Sequence, residues 1–175
     1  FASAERFDDE LPLSDVLYQA KSYYANIIMC FGKQVQGAYG QVKNLDIDMI
    51  APAHGVVWRS HVNDILDAYA KWSENSPESG AVVVFDSMWH STEKMAKAIA
   101  QGFHDAGCSV RIYDLKASHW SQIVPDILTS KYLAVGSPTL NNQMMPSVAA
   151  FLCYLKGLSP KNRQAFAFGS FGWGG

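Results

Sequence analysis

Apolar and polar positions change their rhythm near residue 76. Before that point the spacing is mostly helical. In LSDVLYQAKSYYANIIMCFGKQVQGAY, residues Val16, Leu17, Ala20, Tyr23, Tyr24 and Ile27 recur at helical intervals. The stretch predicts two helices, the first with Ser14 as a candidate cap. LDIDMIAP alternates Leu45, Ile47 and Met49 and predicts a short strand closed by Pro52. HVNDILDAYAKWS returns to helical spacing, with Ile65, Leu66, Tyr69 and Trp72 on one side. Then SENSPESG gathers Ser, Glu, Asn, Pro and Gly in eight residues and predicts a linker. A domain boundary is expected there, dividing 1–75 from 76–175.

Beyond the linker, strands alternate with helices. Val82 to Phe85 is an apolar run of buried-strand type. Thr92 to Ala106 predicts a helix with Met95, Ile99, Phe103 and Ala106 inward and Gly107 as its stop. Val110 to Tyr113 predicts a second strand, and QIVPDILT a short helical or irregular piece broken near Pro125. YLAVGSPT predicts a third strand, and SVAAFLCYLKGL a helix entered through Pro146. QAFAFGS predicts a fourth strand. Such alternation implies parallel βαβ units in an α/β sheet.

Composition narrows the function classes. The 175 residues carry 14 basic and 16 acidic side chains, with no Lys/Arg run, so no nucleic-acid partner is expected. No apolar stretch approaches the roughly 20 residues of a membrane span, so no membrane partner is expected. The opening FASAERFDDE is neither basic nor continuously apolar and predicts no signal peptide. Cys30, Cys108 and Cys153 are widely spaced and form no CxxC; they predict small buried apolar residues in a reducing, cytoplasmic setting.

Three strand ends carry candidate chemistry: DSMWHST, SPTLNN and GSFGWGG. Ligands of open parallel sheets sit beyond the carboxyl ends of the strands. Hydroxyls of Ser87, Ser91 and Thr92 can donate to phosphate oxygens, beside the unpaired N–H groups of a helix start. Neither GxxxxGK(S/T) nor GxGxxG is present, which favours a single phosphomonoester over a triphosphate or a dinucleotide. Ser137, Pro138, Thr139, Leu140 and Asn141, with Asn142, offer backbone and amide groups to a polar ring edge. Ser170, Phe171, Gly172, Trp173 and Gly174 offer N–H groups and aromatic faces to cover a flat ring. Met88, Trp89 and His90 complete the first loop, where His90 is either a partial cation near the phosphate or simply exposed. Phosphate at one end and a flat heteroaromatic at the other outline FMN. An ordinary N-cap and ordinary packing aromatics explain each loop taken singly.

DSMWHSTEKMA, VGSPTLNN, LKGLSPKN and FGSFGWGG together resemble the flavodoxin-like domain of flavodiiron proteins. RFDDELPL, YYANI and APAHGVVWR resemble the end of the metallo-β-lactamase-like αβ/βα domain that precedes it in that family. The resemblance implies an incomplete, flavodoxin-like doubly wound parallel sheet after the C-terminal part of a di-iron domain, with the chain short at both ends. It implies reduction of dioxygen to water, of nitric oxide to nitrous oxide, or both, at a non-haem di-iron centre fed through FMN. Rubredoxin or a similar donor, or a reduced deazaflavin, would supply electrons. The assembly implied is a head-to-tail homodimer or a dimer of dimers. His54 in APAHG matches an iron-ligating histidine of the family, whereas the other ligands would lie upstream of Phe1. Asp8 and Asp9 match no ligand, and His90 stands where many members carry glycine. Two alternatives remain: a flavodoxin-type electron carrier without its own catalysis, and a metallo-hydrolase with an accessory domain.

Overall fold

A computed structural model describes residues 4–172, apart from the side chain of Glu78. The chain forms two compact units that meet between Asn75 and Ser76.

The first unit is helical: α1 (Leu13–Tyr23), α2 (Gly32–Val42) and α3 (Val62–Ser73). Between α1 and α2 the backbone loosens into a π turn, Tyr24–Ile28, then tightens into a 3₁₀ turn, Met29–Phe31. No side chain caps α1; Pro12 occupies the cap position instead of Ser14. Val16, Val56, Trp58, Val62 and Ile65 form one core. The expected strand at 45–52 does not form. Leu45 and Met49 are exposed, and only Ile50 pairs, through an isolated bridge to Trp58. Period-two alternation makes a strand only where a neighbouring strand accepts its ladder.

Asp8 explains how the loop at 56–61 is held. Its fully buried carboxylate accepts N–H bonds from Arg59 (3.0 Å), Ser60 and His61 (2.6 Å), just before α3 begins. These are orphan donors near a helix start, satisfied from 50 residues away.

The second unit is a parallel sheet with helices on both faces. Its strands are β1 (Glu78–Phe85), β2 (Val110–Asp114), β3 (Ser130–Gly136) and β6 (Gln164–Phe168), in the order β2-β1-β3-β6. The tiny β4 (Thr139–Leu140) and β5 (Gln143–Met144) form a separate hairpin. The helices are α4 (Ser91–Asp105), α5 (Trp120–Thr129) and α6 (Pro146–Leu158).

Side-chain alternation along β1 sorts the two cores. Val82 and Val84 pack with Ile123 and Ile127 of α5 and Phe151 and Leu155 of α6. Val83 and Phe85 pack with Ala96, Ile99 and Phe103 of α4. Two helix positions differ from expectation: Met95 is 37% exposed and Ala106 caps the helix from outside, while Thr92 and Ala96 are fully buried. Gly107, at φ 72, supplies the left-handed residue that stops α4.

Pro125 does not break α5. One ladder bond is forfeited, and the ring is buried beside Ile123, Val124, Ile127 and Leu128. The cysteines also differ from expectation: Cys30 and Cys153 are exposed and Cys108 is half-buried. Among the described residues no helix is long and apolar enough to cross a membrane.

Candidate functional site at the carboxyl ends of the strands

From β1 the chain crosses to β2 on one side, then returns to β3 on the other. The reversal lies between β1 and β3, where open α/β sheets form ligand crevices. Residues 86–90 and 137–145 leave these two strands, and 169–172 leave β6.

Backbone bonds join the three segments. The Asp86 N–H donates to the Gly136 carbonyl (3.1 Å), the Ser137 N–H to Phe168 (3.0 Å), and the Thr139 N–H to Ser170 (2.9 Å). The Thr92 and Ser170 hydroxyls lie 3.2 Å apart, linking α4 to the last loop. Gly169 allows the closest approach: a Cβ there would stand 1.9 Å from the Ser137 carbonyl oxygen. Sequence reasoning missed Gly169, since nothing in AFGSFG distinguishes a glycine needed for room from one in a plain turn.

The first loop holds the orphan. Ser87 is only 7% exposed, and its Oγ has no hydrogen-bond partner among the described residues. A buried hydroxyl without a partner is costly, so it marks a place where a ligand oxygen fits. Thr92 is fully buried and already bonded. Ser91 is exposed and opens α4, whose first N–H groups lack intrahelical partners. His90 caps that helix in the left-handed conformation, at φ 64 and ψ 1. Its Nδ1 lies 2.6 Å from Glu93, which also pairs with Lys97 at 2.6 Å. The hydrogen bond from Lys97, then that from His90, hold the Glu93 carboxyl down to about 2.

The second loop is a hairpin, which sequence reasoning did not foresee. Asn141 and Asn142 take φ 51 and 61, the pair of positive values that a type I′ turn needs. Both amides stand exposed at its tip. Ser137 closes the base, accepting from the Met145 N–H (2.8 Å) and donating to the Pro138 carbonyl (2.9 Å). Its hydroxyl is therefore spent on the protein. Pro138 is buried, and Thr139 and Leu140 are half-buried.

Around this crevice Met88 and Trp89 are exposed, Trp89 to 86%. Ser170 is half-buried, and Phe171 and Gly172 are exposed. Trp173 and Gly174 lie outside the described residues. An apolar groove of about 1070 Å³ borders the second loop between α6 and β6, lined by Leu133, Val135, Leu152, Leu155, Ala165 and Ala167. It includes neither Ser87 nor Thr92.

In the first unit, His54 is exposed, its ring centroid 5.6 Å from that of Tyr23. Among the described residues no group of three or more His, Cys, Asp or Glu could hold a metal ion.

A parallel sheet with this order, helices on both faces and three loops joined beyond the carboxyl ends of its strands is a flavodoxin-type α/β domain. The family model described as Flavodoxin matches residues 83–175, more than half of the chain, and the chain belongs to that family. It is 41% identical over 176 residues to the nitric oxide reductase of Moorella thermoacetica, covering 99% of this chain and 44% of that protein. Among solved structures it is similar to rubredoxin oxygen:oxidoreductase from Desulfovibrio gigas, with TM-score 0.95 and 40% identity over 100% of this chain and 45% of that one. The flavodiiron protein from Giardia intestinalis gives TM-score 0.96 and 37% identity, over 100% of this chain and 44% of that one. The chain thus spans less than half the length of these relatives.

Proposed function

We propose that this chain binds FMN across the three loops and serves in an oxidoreductase of flavodiiron type. That enzyme would reduce dioxygen to water, nitric oxide to nitrous oxide, or both. The observation that carries the FMN assignment is the buried Ser87 hydroxyl, without a partner among the described residues, beside the start of α4 where backbone bonds join three strand-end loops. A phosphate would take the Ser87 and Ser91 hydroxyls and the free N–H groups of α4. Backbone groups of 137–141 would meet a polar ring edge. Trp89, Phe171 and Trp173 would cover the ring faces and exclude water. Bound there, FMN supplies one- and two-electron redox chemistry.

The described residues do not by themselves fit a di-iron centre. His54 is proposed as one imidazole ligand, its neighbours coming from outside them, and no reaction step is assigned to iron in this chain. Residues 1–75 would then belong to a metallo-β-lactamase-like domain, and rubredoxin or a similar donor would deliver electrons. A head-to-tail homodimer in the cytoplasm completes the proposal. Its support is that the relatives named for nitric oxide and for rubredoxin and oxygen match both units.

A second reading rests on the Flavodoxin match, which covers only 83–175: an electron carrier without its own catalysis. One experiment separates them. A polypeptide that carries this chain together with the remaining iron ligands is purified and supplied with FMN and ferrous iron, its absorption spectrum and iron content are measured, and gas consumption is followed with reduced rubredoxin; the chain alone should bind flavin without consuming gas. From the longer polypeptide, bound flavin, bound iron and consumption of oxygen or nitric oxide are expected. Flavin without gas consumption would leave the carrier, and a colourless product would overturn the FMN assignment.

A further inference from the structure

The loop after β2 brings in a group that the three strand-end loops do not supply. Asp86, at the end of β1, is 3% exposed, and three elements converge on its carboxylate. Oδ1 accepts the Ser87 N–H at 2.6 Å. Oδ2 accepts the hydroxyl of Ser147, in the first turn of α6. The Lys116 ammonium lies 3.4 Å from Oδ1 and also donates to the Ser87 carbonyl. Lys116 is itself anchored: its N–H donates to Asp114 Oδ1 at 2.9 Å, and the Leu115 N–H donates to the Phe85 carbonyl at 2.9 Å.

Every polar atom of Ser87 but one is therefore engaged. Its N–H faces Asp86, its carbonyl faces Lys116, and only Oγ is left over. Fixing the peptide groups on both sides of a residue fixes its Cα–Cβ direction and leaves its hydroxyl only the staggered χ1 positions. A buried carboxylate is tolerated when it is paired and hydrogen-bonded, as Asp86 is. The Lys116 side chain is about half exposed, so its charge faces both Asp86 and the solvent beside the loop. An ammonium that close to an anion site is screened far less than a distant one.

We infer that Asp86, Lys116 and Ser147 are positioning residues that orient the Ser87 hydroxyl toward a phosphomonoester, and that Lys116 makes the site prefer phosphorylated over unphosphorylated flavin. This rests on the FMN reading and adds to it the source of phosphate selectivity. Asp86 carries no ligand contact of its own; it works by holding Ser87 and by placing Lys116.

The test compares FMN with riboflavin, which lacks the phosphate. Dissociation constants are measured by quenching of flavin fluorescence on the flavin-stripped protein. Lys116→Met should weaken FMN about tenfold, the scale of one partly screened charge interaction beside the site. Riboflavin should change less than twofold, and Lys116→Arg should restore most of the preference. The Asp86→Asn/Lys116→Met pair removes both charges without stranding a buried one and should lose the preference too. Equal losses for both flavins would assign the cluster a purely structural role and overturn the inference, as would an unchanged ratio. Native protein that binds neither flavin would instead sink the FMN reading itself.

Discussion

Gly169→Ala places a methyl where the fold has no room for it. The new Cβ would stand 1.9 Å from the Ser137 carbonyl oxygen and 3.1 Å from its carbon. Carbon and oxygen in ordinary contact sit about 3.3 Å apart or more, so the two segments must separate by more than 1 Å. The obstacle is backbone, so no side chain can swing aside. Two bonds flank the contact, Ser137 N–H to Phe168 at 3.0 Å and Thr139 N–H to Ser170 at 2.9 Å. Lengthened by about 1 Å, neither survives as a hydrogen bond. At about 1 kcal/mol each, plus about 1–2 kcal/mol of overpacking, the closed arrangement loses about 3 kcal/mol. If that loss falls on binding, the FMN dissociation constant rises on the order of 100-fold. The β3–β6 ladder ends at Gly136 and Phe168, short of the clash, so the sheet should persist. Fluorescence titration with FMN measures the binding loss, and far-ultraviolet circular dichroism checks the sheet. A Gly169→Ala protein that binds FMN within threefold of native would refute the claim that these two loops must touch. Gly136→Ala is the control: its Cβ would meet the far end of the Phe168 ring at 2.4 Å, and that ring can rotate, so a smaller loss is expected.

Two further substitutions address the scaffold. Asp8→Asn should destabilise the first unit by about 3 kcal/mol in urea, because an amide cannot accept all the N–H groups of Arg59, Ser60 and His61. Burial alone would raise the Asp8 pKa, but the bonds from Arg59, His61 and Ser60 outweigh it and hold the carboxyl below its usual range. The stabilisation is thus complete above about pH 4 and lost as the pH falls through the lower folded-state value, so the gap between native and Asp8→Asn should close in acid; a gap unchanged at pH 2 would contradict it. Arg163→Met should cost about 2–3 kcal/mol in urea unfolding, since the guanidinium donates to the carbonyls of Ile127 and Leu128 at the end of α5. Burial lowers the Arg163 pKa to about 10, which leaves it charged at neutral pH.

What the chain discloses before folding follows the range of the forces involved. The run AVVVF is apolar on both faces because β1 is covered on both, and that is visible in five consecutive letters. Pro146 announces the start of α6, and Gly107 the end of α4, because each acts on its own dihedral angles. Leu45, Ile47 and Met49 mislead, because alternation records no partner strand. The Asn141–Asn142 turn was legible in principle, since two adjacent asparagines tolerate positive φ, yet the segments beside it are too short to read as strands. Of the candidate site, the hydroxyls beside a helix start are a local pattern. The division of labour among them is not: Thr92 is spent on Ser170, Ser137 on Met145 and Pro138, and of the buried hydroxyls of the loops Ser87 is left over among the described residues. The cluster on Asp86 draws on Lys116 and Ser147, 30 and 61 residues away, and no periodicity links them.

The crevice has an electrostatic problem that this chain meets twice in the same way. A phosphomonoester bound as proposed would be held by partial positive charge at the start of α4, yet carboxylates lie close on either side in sequence, Asp86 before the loop and Glu93 in the first turn. Left alone, each would oppose an incoming anion. Asp86 is matched by Lys116 and capped by Ser147; Glu93 is matched by Lys97 and bonded by His90. His90 reaches Glu93 from a left-handed conformation that costs a residue with a Cβ about 1 kcal/mol or more, and glycine in its place would avoid that cost but carry no ring. The hydrogen bond to Glu93 offsets part of the strain. The histidine thus exchanges backbone ease for a second hydrogen bond to a carboxylate already paired with Lys97. With both acids matched, the unpaired N–H groups of α4, the Ser87 and Ser91 hydroxyls and the solvent-facing side of Lys116 are what an arriving phosphate would meet on the proposed reading.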